Sequence, residues 1–176
     1  MKKVLVILVC LFVVQFAFSG QFSLGTRISP YSVQKVTIGN QKFTSDYGFD
    51  VKALLDYNIL DNLDVGASFN FSGFNYDEIS SSYKIFGFRL MAGYSYFFNE
   101  NIFTRGELAL GLDLRQIEEF KNPYFGLDLY LGLGYKISEK IAVGLGSEFG
   151  FAFQSGKENK SSDFLIKPGF SLTFFI

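Results

Sequence analysis

The chain has 176 residues, 23 Phe and 10 Tyr but no Trp or His, and a formal net charge of −1 from 16 basic and 17 acidic residues. Such balanced charge creates no field that would gather nucleic acid, so nucleic-acid binding is excluded. The lack of histidine removes the usual base for a serine nucleophile and the commonest nitrogen ligand for a metal. The length fits one domain.

The first segment has the layout of a secretory signal peptide. Two lysines precede an apolar stretch over residues 4–17, and small residues occupy positions 17 and 19. This layout predicts cleavage after Ser19, which leaves residues 20–176 as the exported domain. The one cysteine, Cys10, lies within this leader and follows Val9 rather than a small residue, which disfavours a lipoprotein signal. The exported domain therefore has no thiol, disulfide or Cys-based metal site.

From residue 20 onward, apolar residues recur at every second position, the period of a strand whose two faces meet different surroundings. At roughly 3.3 Å per residue and a tilt near 45°, about twelve residues cross about 28 Å, close to the apolar band of an outer-membrane barrel. Eight such runs predict eight strands. They span residues 21–29, 48–59, 63–73, 85–96, 102–115, 125–137, 141–154 and 164–176.

One face of these runs carries no Asp, Glu, Lys or Arg, whereas the other carries charges and most of the 18 glycines. An eight-stranded barrel has an interior only about as wide as its side chains, so large polar residues there need small neighbours. The charged face therefore predicts a structural ion-pair network in a lumen. Its predicted members are Arg27, Asp50, Lys52, Arg89, Arg105, Glu107, Asp113, Arg115, Asp128, Glu148 and Lys167, and Asp56, Asp64 and Lys136 share their face.

A soluble barrel has the same period of two, but with its apolar face inside. Here the apolar face has aromatic residues toward the ends of the runs and aliphatic residues in the middle, as in Leu108, Leu110 and Leu112. Two aromatic girdles around an aliphatic belt are typical of the two interfaces of a membrane. The sequence therefore predicts an all-β, eight-stranded antiparallel up-and-down transmembrane barrel.

The predicted connections alternate in length. Those at 60–62, 97–101 and 138–140 are short, and those at 30–47, 74–84, 116–124 and 155–163 are longer and polar. Short periplasmic turns and longer outer loops are the pattern of outer-membrane barrels.

The leader, the eight runs and the segment Gly169-Phe170-Ser171-Leu172-Thr173-Phe174-Phe175-Ile176 together resemble the small outer-membrane barrels of the OmpA and OmpX type, over essentially the whole of residues 20–176. The resemblance implies a monomer in the bacterial outer membrane, with membrane lipid, lipopolysaccharide and the insertion machinery as partners. It also implies a sorting signal formed by Gly169, Phe170, Leu172, Phe174 and Ile176, with Ile176 in place of the family's terminal aromatic residue.

The leading hypothesis is a non-enzymatic barrel whose lumen is filled by polar side chains and whose outer loops are available for recognition of an unidentified surface ligand. The alternative is a narrow porin-like channel for small solutes, favoured by the glycines of the sixth and seventh runs. Barrels of this size that act as enzymes on lipid or peptide rely on histidine, which this chain lacks. We predict no catalytic residue, cofactor or metal.

Overall fold

The alternating runs form strands because each residue places its side chain on the face opposite to its neighbour's, so one face is uniformly apolar. The structure, a computed structural model, describes residues 22–38, 41–45, 47–76, 81–117, 120–155 and 160–176. These residues form nine strands: β1 (Phe22–Ile38), β2 (Gln41–Thr44), β3 (Tyr47–Leu60), β4 (Leu63–Tyr76), β5 (Ser81–Phe97), β6 (Ile102–Ile117), β7 (Phe120–Ser138), β8 (Ile141–Ser155) and β9 (Lys160–Phe175).

Antiparallel pairing closes the sheet into a barrel. From β3 to β9 each strand pairs with the next, while β1 pairs with β3 on one side and β9 on the other. The short β2 pairs only with the far part of β1, with Thr37 opposite Lys42. Eight strands therefore form the wall, and the predicted eight-stranded antiparallel up-and-down fold is confirmed.

The barrel is apolar outside and charged inside. Leu112 on the outer face is 60% exposed, whereas Arg115, three residues later on the inner face, is 1% exposed. Lys52 is fully enclosed. Within the described residues, no helix is long and apolar enough to cross a membrane.

The two ends of the barrel differ in their connections. The turn end carries the short turns at residues 61–62, 98–101 and 139–140, as predicted. The opposite end, called the loop end below, carries connections that lie outside the described residues. The predicted leader, residues 1–19, also lies outside them.

The predicted loop at 30–47 is wrong, because β1 continues to Ile38 and β2 follows. A bulge interrupts the ladder between Ser29 and Ser32, and both of these residues are buried. A bulge adds one residue and shifts the alternation by one position. The alternation of inward and outward side chains is therefore interrupted at the bulge, although the strand itself continues.

The other three long connections are also shorter than predicted. Strand β4 extends to Tyr76, β6 extends to Ile117 and β9 begins at Lys160. These segments are polar, which led to their prediction as loops. In a closed barrel, however, each strand is hydrogen-bonded on both sides, so polar residues remain in the ladder beyond the apolar belt.

Candidate functional site

The inward-facing residues of all eight wall strands meet in the lumen, and the ion pairs there form a candidate functional site. Alternation along each strand places the charged side chains inside, and closure of the barrel brings opposite walls within reach. Arg27 on β1 and Glu107 on β6, for example, are 3.1 Å apart between Nη2 and Oε2.

Glu148 on β8 is the centre of the site. Its Oε2 lies 2.6 Å from the Nζ of Lys52 and 3.1 Å from Nη1 of Arg27, and its Oε1 lies 3.0 Å from the Nζ of Lys167. None of these side chains is more than 4% exposed. Three cations on one carboxylate would repel one another strongly in a dry interior, so each needs a further acid.

Each of the three cations has that second acid. Lys52 reaches Asp128 at 3.1 Å, Lys167 reaches Asp50 at 3.2 Å, and Arg27 reaches Glu107. The central charges are therefore compensated pairwise across the barrel, which offsets the cost of removing them from water.

Toward the turn end, Arg105 is the main cation. Its Nη1 and Nη2 donate to the two carboxylate oxygens of Asp64 at 2.6 and 2.7 Å, a bidentate pair that fixes geometry as well as charge. Its Nε lies 3.3 Å from Glu107, and its Nη2 lies 3.5 Å from Asp56. The side chain is 19% exposed, so water reaches this part of the network.

Toward the loop end, two arginines share Asp113. Nη1 of Arg89 lies 2.7 Å from Oδ1 of Asp113, and Nη2 of Arg115 lies 3.3 Å from Oδ2. Arg89 also reaches Asp128 at 3.3 Å, and Arg115 also pairs with Asp163. All of these side chains are at most 5% exposed.

Neutral side chains complete the loop-end part. Gln34 donates from Nε2 to Asp163 at 2.5 Å and accepts at Oε1 from the Tyr76 hydroxyl at 2.8 Å. The guanidinium of Arg115 lies 4.1 Å from the ring centroid of Tyr124, a cation–π distance.

These contacts join into one network along the barrel, and the structure places all eleven predicted residues in it. The path runs through Asp64, Arg105, Glu107, Arg27, Glu148, Lys52, Asp128, Arg89, Asp113, Arg115 and Asp163, with Asp56, Asp50 and Lys167 as branches. Lys136 shares the face but lies 4.4 Å from the Phe97 ring centroid at the turn end.

Asp163 was not among the predicted lumen residues, because it lies in a segment that was predicted to be a loop. The alternation could have placed Asp163 in the lumen, because Asp163 and Leu165 precede the inward-facing Lys167 at intervals of two residues. Gln34 and Tyr76 were missed for the same reason, since both lie in segments predicted to be loops.

Large side chains fill the space beside the glycines of β7 and β8. A Cβ atom at Gly132 would lie 2.3 Å from the Tyr130 hydroxyl, and one at Gly146 would lie 2.5 Å from it. The Tyr130 ring lies 3.5 Å from the guanidinium of Arg27. These glycines therefore make room for Tyr130, which fits the expectation that large lumen residues need small neighbours.

The two ends of the lumen are lined differently. At the loop end, buried apolar side chains pack together inside the wall: Val36, Phe74, Tyr76, Tyr83, Ile85 and Leu165. At the turn end, a cavity of about 280 Å³ is lined by polar residues such as Asp56, Arg105 and Lys136 and by the Phe103 ring. Arg27 and Tyr130 also line this cavity.

The predicted sorting residues lie on β9 and directly after it. Phe170, Phe174 and Ile176 are 58%, 46% and 50% exposed on the outer face, and Leu172 is partly buried. Gly169 faces inward, where a Cβ atom would lie 2.3 Å from the carbonyl oxygen of Ile28. A role in sorting stays a prediction.

The lumen acids show no arrangement for metal binding. Among the described residues, no group of three or more His, Cys, Asp or Glu is placed to hold a metal ion. Each acid of the network contacts at least one cation.

A family model described as outer membrane protein beta-barrel domain matches residues 4–170. No curated protein matches the chain. Among solved structures, the chain is similar to Neisserial surface protein A (NspA), with a TM-score of 0.62 and 12% identity over 90% of this chain and 98% of that one.

The chain is also similar to the outer membrane protein OprG from Pseudomonas aeruginosa, with a TM-score of 0.51 and 13% identity over 89% of this chain and 97% of that one. The outer membrane protease OmpT from Escherichia coli gives a TM-score of 0.51 and 7% identity, again over 89% and 97%. At such low sequence identities these three similarities show a shared fold and do not show a shared activity or ligand.

Proposed function

Because this chain belongs to the outer membrane protein beta-barrel domain family and so resides in the bacterial outer membrane, we propose that it is a non-enzymatic barrel closed by its own side chains. Short turns of such barrels face the periplasm and the other end faces outward. In this proposal the turn end is periplasmic, and any recognition of a surface ligand takes place at the loop end.

The observation that carries the proposal is the continuity of the ion network. It crosses the lumen from wall to wall, and its central member, Glu148, contacts three cations. A continuous water column would have to displace several of these pairs together, and each separated charge would remain buried in a narrow, low-dielectric bore. The network therefore supports a closed lumen at rest.

Conductance tests this proposal. The unmodified protein, inserted into a planar lipid bilayer, is expected to give no steady single-channel current. A matched bilayer containing a known porin shows that the membrane reports channels. Steady conductance that scales with the amount of inserted barrel contradicts the closed lumen.

A narrow channel for small solutes is the second candidate, and the cavity of about 280 Å³ at the turn end favours it. A channel would require Arg27 and Tyr130, which line the cavity and stack on one another, to move aside. The same conductance measurement decides between the two functions, since only the channel predicts current from the unmodified protein.

The absence of enzyme activity is part of the proposal. The similar structure OmpT is named as a protease, but fold likeness alone does not transfer chemistry. The chain has no histidine, and the lumen acids form ion pairs with cations. We expect no cleavage of peptides or lipids above that of a heat-unfolded control; turnover that requires the folded barrel contradicts this part.

Export and sorting complete the proposal. We propose cleavage after Ser19 and assembly by the insertion machinery through Gly169, Phe170, Leu172, Phe174 and Ile176. Protein purified from outer membranes is expected to be a monomer that begins at Gly20, as read by N-terminal sequencing. Retention of residues 1–19 contradicts the proposed cleavage without affecting the closed lumen.

A further inference from the structure

The charges of the lumen network do not balance. Among the described residues, its ion pairs join four arginines and two lysines to six aspartates and two glutamates. A buried charge without compensation is costly, so an excess of acids in a narrow lumen favours the binding of a further cation.

The excess lies at the turn end. At the centre, the three cations around Glu148 are matched by three acids, and at the loop end the two arginines are matched by two acids. At the turn end, Arg105 contacts three carboxylates, those of Asp56, Asp64 and Glu107. One guanidinium cannot compensate three negative charges, so the local charge around Arg105 is negative.

Asp56 on β3 is the least compensated of these acids. The bidentate pair with Asp64 directs the guanidinium of Arg105 away from it, and the 3.5 Å contact between Asp56 Oδ2 and Arg105 Nη2 is the longest ion pair of the described network. The other oxygen, Oδ1, has no hydrogen-bond partner among the described residues, although Asp56 is only 5% exposed. This carboxylate therefore lacks a close cationic partner.

Asp56 lines the turn-end cavity of about 280 Å³, which has room for several water molecules and hence for a small aliphatic molecule. The cavity joins a wider depression of about 730 Å³ at the turn end, since Asp61, Phe97 and Lys136 line both. Asp61 is exposed there, as is Glu139, which also lines the cavity. A cation that enters from the turn end therefore meets acids both at the mouth and inside.

The cavity wall is also aromatic. Phe97 and Phe103 both line it, and their ring centroids are 5.3 Å apart. The Lys136 ammonium lies 4.4 Å from the Phe97 ring centroid and forms no ion pair with a described residue. Ring faces of this kind attract ammonium groups and pack against methylene groups. Acids beside aromatic rings therefore suit an organic cation, whereas no described group of acids is placed to hold a metal ion.

We propose that the turn-end cavity binds a short aliphatic diamine. One ammonium group is held by the Asp56 carboxylate, the methylene chain lies against Phe103, and the second ammonium group lies toward Asp61 at the mouth. Such a ligand supplies the positive charge that the turn end lacks. Access from the periplasm rests on the orientation given in the proposed function, but the binding itself does not.

The experiment uses the refolded, isotope-labelled barrel in detergent micelles and follows its backbone amide resonances by NMR during titration with putrescine, a four-carbon diamine. We expect saturable shifts that are largest around Asp56 and Phe103. Butylamine, with one ammonium group, is expected to bind more weakly, and butanol, with none, is expected not to bind. This series on the unmodified protein tests the need for charge without any substitution.

Asp56→Asn keeps the size of the side chain and removes its charge. It is expected to weaken putrescine binding about tenfold or more, the usual effect of losing a hydrogen bond to a charged group. Heat-shifted gel mobility verifies that the variant is folded. The matched control Glu100→Gln removes an exposed acid that lines only the outer depression, and it is expected to leave the affinity unchanged within about twofold, because exposed charges are screened.

Unchanged affinity in Asp56→Asn, an equal loss in Glu100→Gln, or equal binding of butanol would each overturn the proposal. Displacement of putrescine by equimolar magnesium chloride would overturn the choice of an organic cation. Conductance is read separately in planar bilayers, so steady current with intact putrescine binding contradicts the closed lumen and not this site, and loss of binding without current contradicts this site alone.

Discussion

Both ends of the lumen contain ion pairs between an arginine and carboxylates, but the surroundings of these pairs differ. At the turn end, the Arg105 side chain is 19% exposed and lines a cavity of about 280 Å³. At the loop end, the Arg115 side chain is 1% exposed and lies next to a cluster that includes Phe74 and Tyr83. Each arginine contacts more than one carboxylate.

The stabilising effect of an ion pair in a barrel therefore depends on its access to water as well as on its geometry. A pair that water reaches is worth little, whereas loss of one partner from a dry pair leaves a buried charge without compensation. The closure of the barrel should therefore depend more on its loop end, although the shortest bidentate pair lies at the turn end, between Arg105 and Asp64.

Arg115→Ala is expected to destabilise the barrel most, because it leaves Asp113 and Asp163 without this cation. Removal of one partner of a buried pair costs roughly 3 to 5 kcal/mol. Arg105→Ala is the matched variant at the turn end, and its cost is expected to be smaller because water enters the cavity and solvates Asp64. The free energy of unfolding, from urea titration of the barrels in lipid vesicles, measures both.

Equal penalties for the two arginine variants would contradict this expectation, since they would mean that the two ends are equally dry. A larger penalty for Arg105→Ala would reverse it and place the main closure at the turn end.

Two glycine substitutions test the difference between the two ends without changing any charge. A Cβ atom at Gly48 would lie 2.2 Å from the Phe74 ring, and one at Gly134 would lie 2.2 Å from the Phe103 ring. Phe74 is 2% exposed within the loop-end cluster, whereas Phe103 borders the turn-end cavity. The closest ring contact has the same length at both sites, but a Cβ atom at Gly48 would also lie 2.9 Å from the carbonyl oxygen of Gly73, and the space behind the ring differs.

Gly48→Ala is therefore expected to destabilise the barrel by roughly 1 to 3 kcal/mol, the usual cost of an overpacked site. Gly134→Ala is expected to cost less than about 1 kcal/mol, because the Phe103 ring can shift into the cavity. Urea titration in vesicles again measures both. A larger cost at Gly134 would show that the cavity does not relieve the contact.

The sequence was sufficient for the fold because its two faces are so unlike. Along β6, Leu108, Leu110 and Leu112 alternate with inward residues such as Glu107 and Asp113, which predicts both a strand and an inside-out barrel. The loop end was predicted less well, because the bulge after Ser29 shifts the alternation and the following residues mix polar and apolar side chains on both faces, as Gln34 and Val36 do on the inner face.

The members of the network were predictable, but their partners were not. Alternation assigns Glu148 to the lumen, whereas its contacts with Lys52 and Arg27 depend on side chains that reach across the barrel from strands far apart in the chain. Lumen width and strand register are properties of the closed barrel, which no local pattern encodes. The cavity beside Arg105 was not predictable for the same reason.

Salt is expected to change these penalties only slightly, but its effect tests the difference in water access directly. Screening shortens the reach of exposed charges from about 10 Å at 0.1 M to about 3 Å at 1 M ionic strength, but it acts much less on buried pairs. Raising sodium chloride over this range should lower the penalty of Arg105→Ala by a few tenths of a kcal/mol, since partly exposed pairs contribute at most about 1 kcal/mol. The penalty of Arg115→Ala should stay constant, because no salt reaches the side chains around it.

Urea titration of both variants and the unmodified barrel at the two ionic strengths gives the two penalties, and the unmodified barrel corrects for the general effect of salt on unfolding. If both penalties fell together, salt would reach the loop-end pairs, and the apolar cluster around Phe74 would not be the barrier to water that its packing indicates.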